Sequence, residues 1–264
     1  MSPILLLILI ALTVTFLFVP LYRARIHASA NHQRPEFDYH VLRTLVGLIA
    51  LSIAAFSVLA TQPGITIDSI SAAYHTDGHD LFVGQLLIVS AFLLAYQGHE
   101  REGPNPAKGS KTEFVSAKVG SICVALTALL PTSDCPLGDA QICASNVPQY
   151  FNMSIVQTGV WHTRFAAVFF IVLAVILGIF VWRAWLINTN WSKVRAIAYS
   201  IFMLGMLYAV VIFLFFATER RVFYAEAIAL VSFGFGWILA GTHEWLGEKA
   251  EALKNSNMFR KQTS

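Results

Sequence analysis

Charged residues are scarce in this sequence. Only 12% of its 264 residues are Asp, Glu, Lys or Arg, while 56% are hydrophobic and the mean hydropathy is +0.63. A soluble domain of this length needs about twice that charged share to cover its surface. The same composition excludes disordered, collagen-like and coiled-coil chains, and 3 cysteines are too few for a disulfide-dense domain. The composition therefore predicts a polytopic membrane protein. Because backbone amides in lipid must be satisfied within each segment, we expect its spans to be helical and its fold class to be all-α.

Several motifs that carry recognisable chemistry are also absent. The sequence has no Gly-rich phosphate loop, no nucleophile elbow, no haem-attachment CxxCH and no HExxH metal motif. Its last apolar stretch contains no Lys, which argues against a retinal Schiff-base protein. The alternating strands of a membrane barrel are missing as well. We expect no nucleic-acid partner, and the sequence predicts architecture better than activity.

Seven apolar stretches are long enough to cross a bilayer, which takes about 20 residues of helix. They are residues 3–21, 41–60, 81–97, 114–131, 161–182, 196–217 and 222–240. We interpret the first as an uncleaved anchor, because it lacks a preceding basic residue and a clear cleavage site. The sequence thus predicts a seven-transmembrane-helix bundle over residues 1–247 and a polar, basic cytoplasmic tail over 248–264.

The basic residues divide unequally between the two sides of these spans. All but three of the 18 Lys and Arg residues fall on one side; the exceptions are Arg164, Arg220 and Arg221. The opposite loops, 61–80 and 132–160, contain neither residue type. The positive-inside rule therefore predicts the N-terminus outside and the C-terminus in the cytoplasm. We expect an integral protein of the bacterial cytoplasmic (inner) membrane.

Two cysteines lie close together in the second outer loop. Cys135 and Cys143 are eight positions apart, and in an oxidising compartment this spacing favours a short loop closed by a disulfide. Two free thiols, with metal binding as their use, are the alternative.

Ionisable groups at membrane depth are candidates for function because burying them is costly. In this sequence such groups come from three separate elements at one predicted depth near the outer interface. We predict a polar pocket there, lined by Ser71, Tyr74, His75, His79, Asp80, His162 and Glu226, with Arg164 beside it.

This pocket has more than one chemical interpretation. His75, His79 and His162 are ligand types that zinc accepts, with Asp80 orienting them or a water and Glu226 acting as general acid/base. Alternatively, Glu226 forms a buried pair with Arg164 or Arg221 that fixes helix packing. A proton relay is a third use of the same groups.

Four stretches resemble a family of bacterial multi-pass membrane proteins of uncharacterised function. They are Ser69–Tyr74, Asp80–Gly84, His162–Phe170 and Glu226–Trp237. His79 stands where that family has Arg. The general layout of the family resembles the eukaryotic Frag/DRAM/Sfk membrane proteins, and this resemblance implies handling of lipids or lipid anchors.

A more distant resemblance is to the CREST superfamily of seven-span, metal-dependent lipid amide hydrolases. Ser71–His75 matches its Ser-x-x-x-His pattern, and Asp80 matches its Asp. The late His pair of that superfamily is absent here, and Glu226 stands in the last span instead. The resemblance implies a zinc cofactor and a lipid amide or ester substrate.

Two functions therefore stand as expectations. The first is a non-enzymatic protein that binds or senses membrane lipids, or scaffolds a membrane-protein partner or a second copy of itself. In it, Asp80, His162 and Glu226 form a structural polar network and no cofactor is required. The second is a zinc-dependent membrane hydrolase of lipid amides or esters, with His75, His79 and His162 as zinc ligands.

Overall fold

The structure is a computed structural model that describes residues 39–59, 67–96, 108–137, 140–145, 153–187, 190–216 and 219–262. The predicted span at 3–21 lies outside these residues. Every regular element within the described ranges is helical, so the all-α prediction is confirmed.

These ranges contain seven α-helices and one short 3-10 helix. In chain order they are α1 (Tyr39–Leu59), the 3-10 helix (Ser71–His75), α2 (His79–Ala95), α3 (Lys108–Leu129), α4 (Ala140–Ser145), α5 (Ile155–Ile187), α6 (Asn190–Phe215) and α7 (Glu219–Gln262).

Four of these helices are long and apolar enough to cross a membrane. Their apolar stretches are Lys111–Leu129, Ile155–Ile187, Asn190–Phe215 and Arg221–Thr242. Two shorter apolar stretches, Val41–Ser57 and His79–Ala95, lie in α1 and α2. By length and composition, the chain is thus an integral membrane protein with at least four candidate spans.

The helix boundaries differ from the predicted spans at their polar ends. α5 begins at Ile155, six residues before the predicted start at 161. A reciprocal pair of hydrogen bonds explains this start: Gln157 N–H donates to Ser154 Oγ, and Ser154 N–H donates to Gln157 Oε1. This capping box satisfies amides that the helix itself leaves free. At the other extreme, α7 continues to Gln262, through most of the predicted tail.

The described residues form two compact units, residues 39–47 with 237–262, and residues 48–236. The first consists of the start of α1 and the end of α7. In the second, α2 packs on α3, α3 on α5, and α5 on α6. Its buried core includes Leu93, Leu173, Ile176, Leu177 and Phe233.

Outside this core, the second unit exposes large apolar side chains along several helices. Examples are Leu94, Ile122, Ile201, Leu204 and Leu214, each more than half exposed. An apolar surface of this extent is unfavourable in water but matches contact with lipid chains.

Polar side chains also join helices inside the second unit. Ser90 Oγ donates to the carbonyl of Ser121 at 2.9 Å, and Ser121 Oγ donates to the carbonyl of Ser90 at 2.8 Å. Small hydroxyl residues let helix backbones approach closely and bond across the interface. The pair therefore fixes the register of α2 against α3.

Candidate functional site

The side chain of Glu226 on α7 binds the start of the 3-10 helix. Its Oε2 accepts the backbone N–H of Ile70 and, at 3.3 Å, that of Ser71. Its Oε1 lies 2.5 Å from Ser71 Oγ. These amides point out of the first turn of the 3-10 helix and lack partners within it, so a carboxyl group is well suited to them. Glu226 thereby connects residues 70–71 to α7. It is 4% exposed, so these bonds lie in the interior of the protein.

His162 on α5 completes a three-residue network with Ser71 and Glu226. Its Nδ1 donates to the carbonyl of Leu130 at 2.7 Å, and its Nε2 lies 3.0 Å from Ser71 Oγ. The imidazole is 1% exposed. The network therefore joins α5, α7, the 3-10 helix and the segment that follows α3. We call Ser71, His162 and Glu226 the Ser71 network.

The number of protons in the Ser71 network limits the hydrogen-bonding arrangements that it can adopt. The Ser71 hydroxyl has one proton and two bonding partners, so it donates to only one of them. Satisfying both bonds takes one further proton, which resides on Glu226 or on His162. In the neutral arrangement Glu226 donates to Ser71 and Ser71 donates to His162. In the ionic arrangement His162 donates to Ser71 and Ser71 donates to Glu226.

Two further histidines bind backbone carbonyls next to the Ser71 network. His75 Nε2 donates to Thr132 O at 2.8 Å, and His79 Nδ1 donates to Tyr74 O at 2.8 Å. The buried Tyr74 ring meets the His79 ring edge-on, with centroids 4.4 Å apart. Burial lowers the pKa of His75 from its ordinary 6.5, although the bond to Thr132 and the charge of Asp134 oppose that shift. His75 thus serves as a neutral donor that holds two loops together.

Ser69 and Asp134, which the sequence analysis did not include in the pocket, strengthen the same junction. Ser69 Oγ donates to Asp134 Oδ2 at 2.6 Å and accepts the backbone N–H of Ala72 at 3.0 Å. The backbone N–H of Phe223, in the first turns of α7, donates to Asp68 O at 3.1 Å. The sequence offers one indication of Asp134 as a site residue: it is an acidic residue directly before Cys135, in a loop predicted to lie on the outer side.

A glycine permits the close approach of α5 to this junction. A Cβ added at Gly159 would lie 2.6 Å from the backbone nitrogen of Ser133 and 2.5 Å from its Oγ. Backbone cannot move aside cheaply, so only Gly fits this position. Gly159 lies one helical turn before His162, so this contact holds the 130–135 segment close enough for the Leu130 carbonyl to accept the hydrogen bond from His162.

The structure brings six of the predicted residues close together and leaves two others, Asp80 and Arg164, apart; the six are Ser71, Tyr74, His75, His79, His162 and Glu226. The Asp80 side chain, in the first turn of α2, makes no hydrogen bond or ion pair within the described part of the chain, and the residue is exposed. Arg164 is also exposed, with its guanidinium 5.0 Å from the centre of the Trp161 ring. The predicted pairing of Glu226 with Arg164 or Arg221 is wrong, because the backbone amides and Ser71 occupy the carboxyl group instead.

The predicted zinc ligands are not assembled as a metal site in the described residues. Over these ranges, no group of three or more His, Cys, Asp or Glu side chains lies close enough to hold a metal ion. His162 uses both ring nitrogens inside the protein, while His75 and His79 each donate to a carbonyl. His162 could therefore bind zinc only by giving up one of its two hydrogen bonds.

Cys135 and Cys143 form a disulfide, with their Cα atoms 5.9 Å apart. This separation is typical of disulfides, and the alternative of two free thiols is wrong for this structure. Cys143 lies on α4, a short helix that the sequence analysis did not predict. The disulfide closes the loop directly after Asp134, so it braces the partner of Ser69.

A second buried polar cluster lies toward the opposite end of α5. Arg183 Nη2 lies 2.6 Å from Glu113 Oε2, and Tyr96 O–H donates to Glu113 Oε1. Glu113 is 0% exposed and Arg183 is 23% exposed. Lys118 Nζ donates to the carbonyls of Leu94 and, at 2.8 Å, Tyr96, where α2 ends. A cation at a helix C-terminus satisfies its free carbonyls.

The two clusters are separated by about the thickness of a bilayer core. His162 and Arg183 both lie on α5, about 31 Å apart along its axis at about 1.5 Å per residue. The hydrocarbon region is about 30 Å thick. Ionisable groups therefore concentrate at the two ends of an apolar helix, each satisfied by hydrogen bonds or an ion pair.

We compared the chain with protein-family models, with curated proteins and with solved structures, and none of the three comparisons finds a match.

Proposed function

We propose that this protein is a non-enzymatic membrane protein that binds or senses lipid, and that the Ser71 network is a structural lock at its outer end. The observation that carries this proposal is that both carboxyl oxygens of Glu226, the Ser71 hydroxyl and both His162 nitrogens have bonding partners inside the protein. A network so fully occupied stabilises the fold and leaves no open position for a substrate.

The hydrogen-bond geometry also argues against a Ser–His nucleophile pair. In such a pair a carboxylate orients the histidine through its second nitrogen, and the serine proton passes to the histidine. Here the second nitrogen binds the Leu130 carbonyl, and the carboxyl group of Glu226 competes with His162 for the Ser71 hydroxyl. Both features weaken Ser71 as a nucleophile.

We further propose that α1, α2, α3, α5, α6 and α7, together with residues 3–21, make seven spans. The distribution of basic residues supports an N-terminus outside and a C-terminus in the cytoplasm, and we propose a bacterial inner membrane as the location. Trp182, Trp185 and Trp191 support this assignment, since all three are exposed around the α5–α6 connection, where an interfacial belt belongs. A membrane-protein partner or a second copy would contact the same lipid-facing surface.

Thermal unfolding in detergent tests lipid binding without knowledge of the ligand. Adding phospholipid should raise the melting temperature of the wild-type protein, because a ligand that binds only the folded state stabilises it. In parallel, lipid ester and lipid amide substrates should yield no free fatty acid. The proposal fails if phospholipid leaves the melting temperature unchanged.

Ser71→Ala separates a structural lock from a catalytic serine. We expect a lower melting temperature, because Glu226 and His162 each lose a bond. Ser200→Ala is the matched control, since its hydroxyl donates only to Ala196 O within the same helix. Hydrolysis that occurs in the wild type and Ser200→Ala but disappears in folded Ser71→Ala would establish an enzyme instead.

A further inference from the structure

A groove of about 530 Å³ lies between α6 and the first turns of α7. Its walls include Tyr208, Ile212, Phe216, Arg221, Tyr224 and Ile228. The volume falls in the range of small-molecule sites, roughly 300–1,000 Å³. None of these residues belongs to the Ser71 network, so the groove is a separate feature of the same end of the unit.

The groove is polar at one end and apolar along its length. Arg221 and Tyr224 lie in the first two turns of α7, whereas Ile228 lies roughly 10 Å further along the axis. Side chains tilt toward the start of their helix, so Arg221 and Tyr224 lean toward the end of the membrane span. Ile212 and Ile228 line the part that faces its interior. This is the polarity of a lipid, with a headgroup above its chains.

The polar end of the groove carries unused hydrogen-bond donors. Within the described residues, the Arg221 guanidinium and the Tyr224 hydroxyl make neither hydrogen bonds nor ion pairs. A guanidinium offers a planar fork of donors that matches two phosphate oxygens. Tyr224 and Phe216 are more than half exposed at the same place. The charge and the donors thus fit a phosphate group.

We propose that this groove binds one phospholipid, with its phosphate on Arg221 and Tyr224 and an acyl chain along Ile212 and Ile228. This inference rests on the proposed function, since it names the lipid class and its place on the protein. A free phosphate ion is a poorer occupant, because it would leave the apolar walls of the groove uncovered. The complementarity of one cation with an apolar channel selects a lipid with an anionic headgroup.

Native mass spectrometry of the purified protein, titrated with phosphatidylglycerol or phosphatidylcholine, measures this binding directly. Arg221→Gln should weaken phosphatidylglycerol binding about tenfold, the effect of losing roughly 1.4 kcal/mol of a charge-assisted contact. Arg221→Lys keeps the charge but loses the fork, so its affinity should fall between the two. Lys193→Gln, which removes a charge at the start of α6, is the matched control and should bind as the wild type does.

A steric variant tests the groove independently of charge. Ile228→Trp fills the apolar part and should weaken binding of both lipids, whereas Ile201→Trp, on an exposed face of α6 outside the groove, should not. Ile201 is 61% exposed and Ile228 is 37% exposed, so the melting temperature of each variant should be measured beside its lipid binding. Excess inorganic phosphate should fail to displace the lipid; displacement by phosphate alone would indicate an anion site and overturn the proposal.

The outcomes separate this inference from the proposed function. If the wild-type protein binds phospholipid and all the groove variants bind it equally well, the groove is the wrong site but lipid binding stands. If the wild-type protein binds no phospholipid, both proposals fail. Loss of binding in both Arg221→Gln and Ile228→Trp, with both controls unchanged, supports the groove as the site.

Discussion

The Ser71 hydroxyl and the Glu226 carboxyl group, 155 residues apart in the chain, lie 2.5 Å apart. Because His162 also lies 3.0 Å from the same hydroxyl, one serine joins the 3-10 helix to both α5 and α7. The contact converts an isolated acid at membrane depth into part of a satisfied network, which is the condition for burying such a group.

Substitution of Glu226 distinguishes a need for hydrogen bonds from a need for charge. Glu226→Gln can accept from the Ile70 and Ser71 amides through its carbonyl and donate to Ser71 through its NH₂ group. It therefore mimics the neutral arrangement, and we expect the free energy of unfolding to change by less than about 1 kcal/mol.

Glu226→Ala leaves those amides without partners, and we expect it to cost about 3 kcal/mol. Chemical unfolding in detergent measures both variants under the same conditions. A Gln variant as unstable as the Ala variant would mean that the ionic arrangement, with charged Glu226 and His162, is the one that folds.

The stability of the protein should depend on the protonation of His75. Its pKa in the folded state is lowered from 6.5, so the folded state binds fewer protons than the unfolded state as the pH falls through this region. Stability is therefore full above 6.5 and is lost as the pH falls toward the lowered pKa.

The melting temperature should be measured from pH 8 to pH 5, a range that includes the ordinary histidine pKa of about 6.5. His75→Gln keeps a donor for Thr132 O but does not titrate, so its melting temperature should decline less on acidification. Equal declines in the wild type and the variant would contradict this role of His75.

Reduction of the Cys135–Cys143 disulfide should destabilise the junction beside Asp134. For a closed loop with a sequence separation of 8, the loss of chain entropy in the unfolded state corresponds to about 2.5 kcal/mol. The melting temperature with and without reductant measures this effect. Cys123→Ala serves as the background, because Cys123 is the buried free cysteine of the described residues. An unchanged melting temperature after verified reduction would show that the loop carries no stability.

The buried pair of Glu113 and Arg183 should be strongly coupled. Arg183→Gln removes the Arg183 cation from the fully buried Glu113, and we expect a loss of about 2 kcal/mol, less than for a fully buried pair because Arg183 is 23% exposed. Adding Glu113→Gln to Arg183→Gln should restore part of this loss. A double-mutant cycle on the free energy of unfolding measures the coupling. Additive effects of the two substitutions would show that the ion pair contributes nothing.

Single introduced cysteines test the proposed orientation. In a Cys123→Ala background, Met153→Cys should react with a membrane-impermeant maleimide in intact cells, because residue 153 precedes α5 at the end that the proposed topology puts outside. Lys111→Cys, exposed at the start of α3, should react only after the membrane is opened. The reverse pattern would invert the topology and put the Ser71 network on the cytoplasmic side.

Two features of the sequence predict much of this fold and site. The apolar runs predict the helices, and the polar residues at a common predicted depth indicate the site. Six of the seven runs coincide with helices of the described residues, since burying backbone in lipid leaves helices as the main option, and the run at 3–21 lies outside those residues. The gathering of Ser71, His162 and Glu226 could be expected because the sequence predicts a common depth near one membrane surface for all three. The partners within that set could not be read from sequence, because hydrogen bonds between residues 155 apart depend on how helices pack.

The Glu113–Arg183 ion pair could not be predicted from the sequence. Glu113 directly precedes an apolar run, and Arg183 served only as a charge in the count for orientation. Neither residue signals its partner, since they lie on α3 and α5 and meet only once those helices pack. Asp80 shows the opposite error: it lies beside the cluster in sequence, yet the first turn of α2 leaves it exposed.

Elemental analysis of the purified wild-type protein, after exhaustive washing with detergent, tests the central claim most directly. Phosphorus reports retained phospholipid and zinc reports a metal centre in the same sample. The lipid-binding account predicts about one phosphorus per chain, from one phospholipid held in the groove proposed above, and no zinc. A stoichiometric amount of zinc without phosphorus would contradict it and favour the zinc-dependent hydrolase.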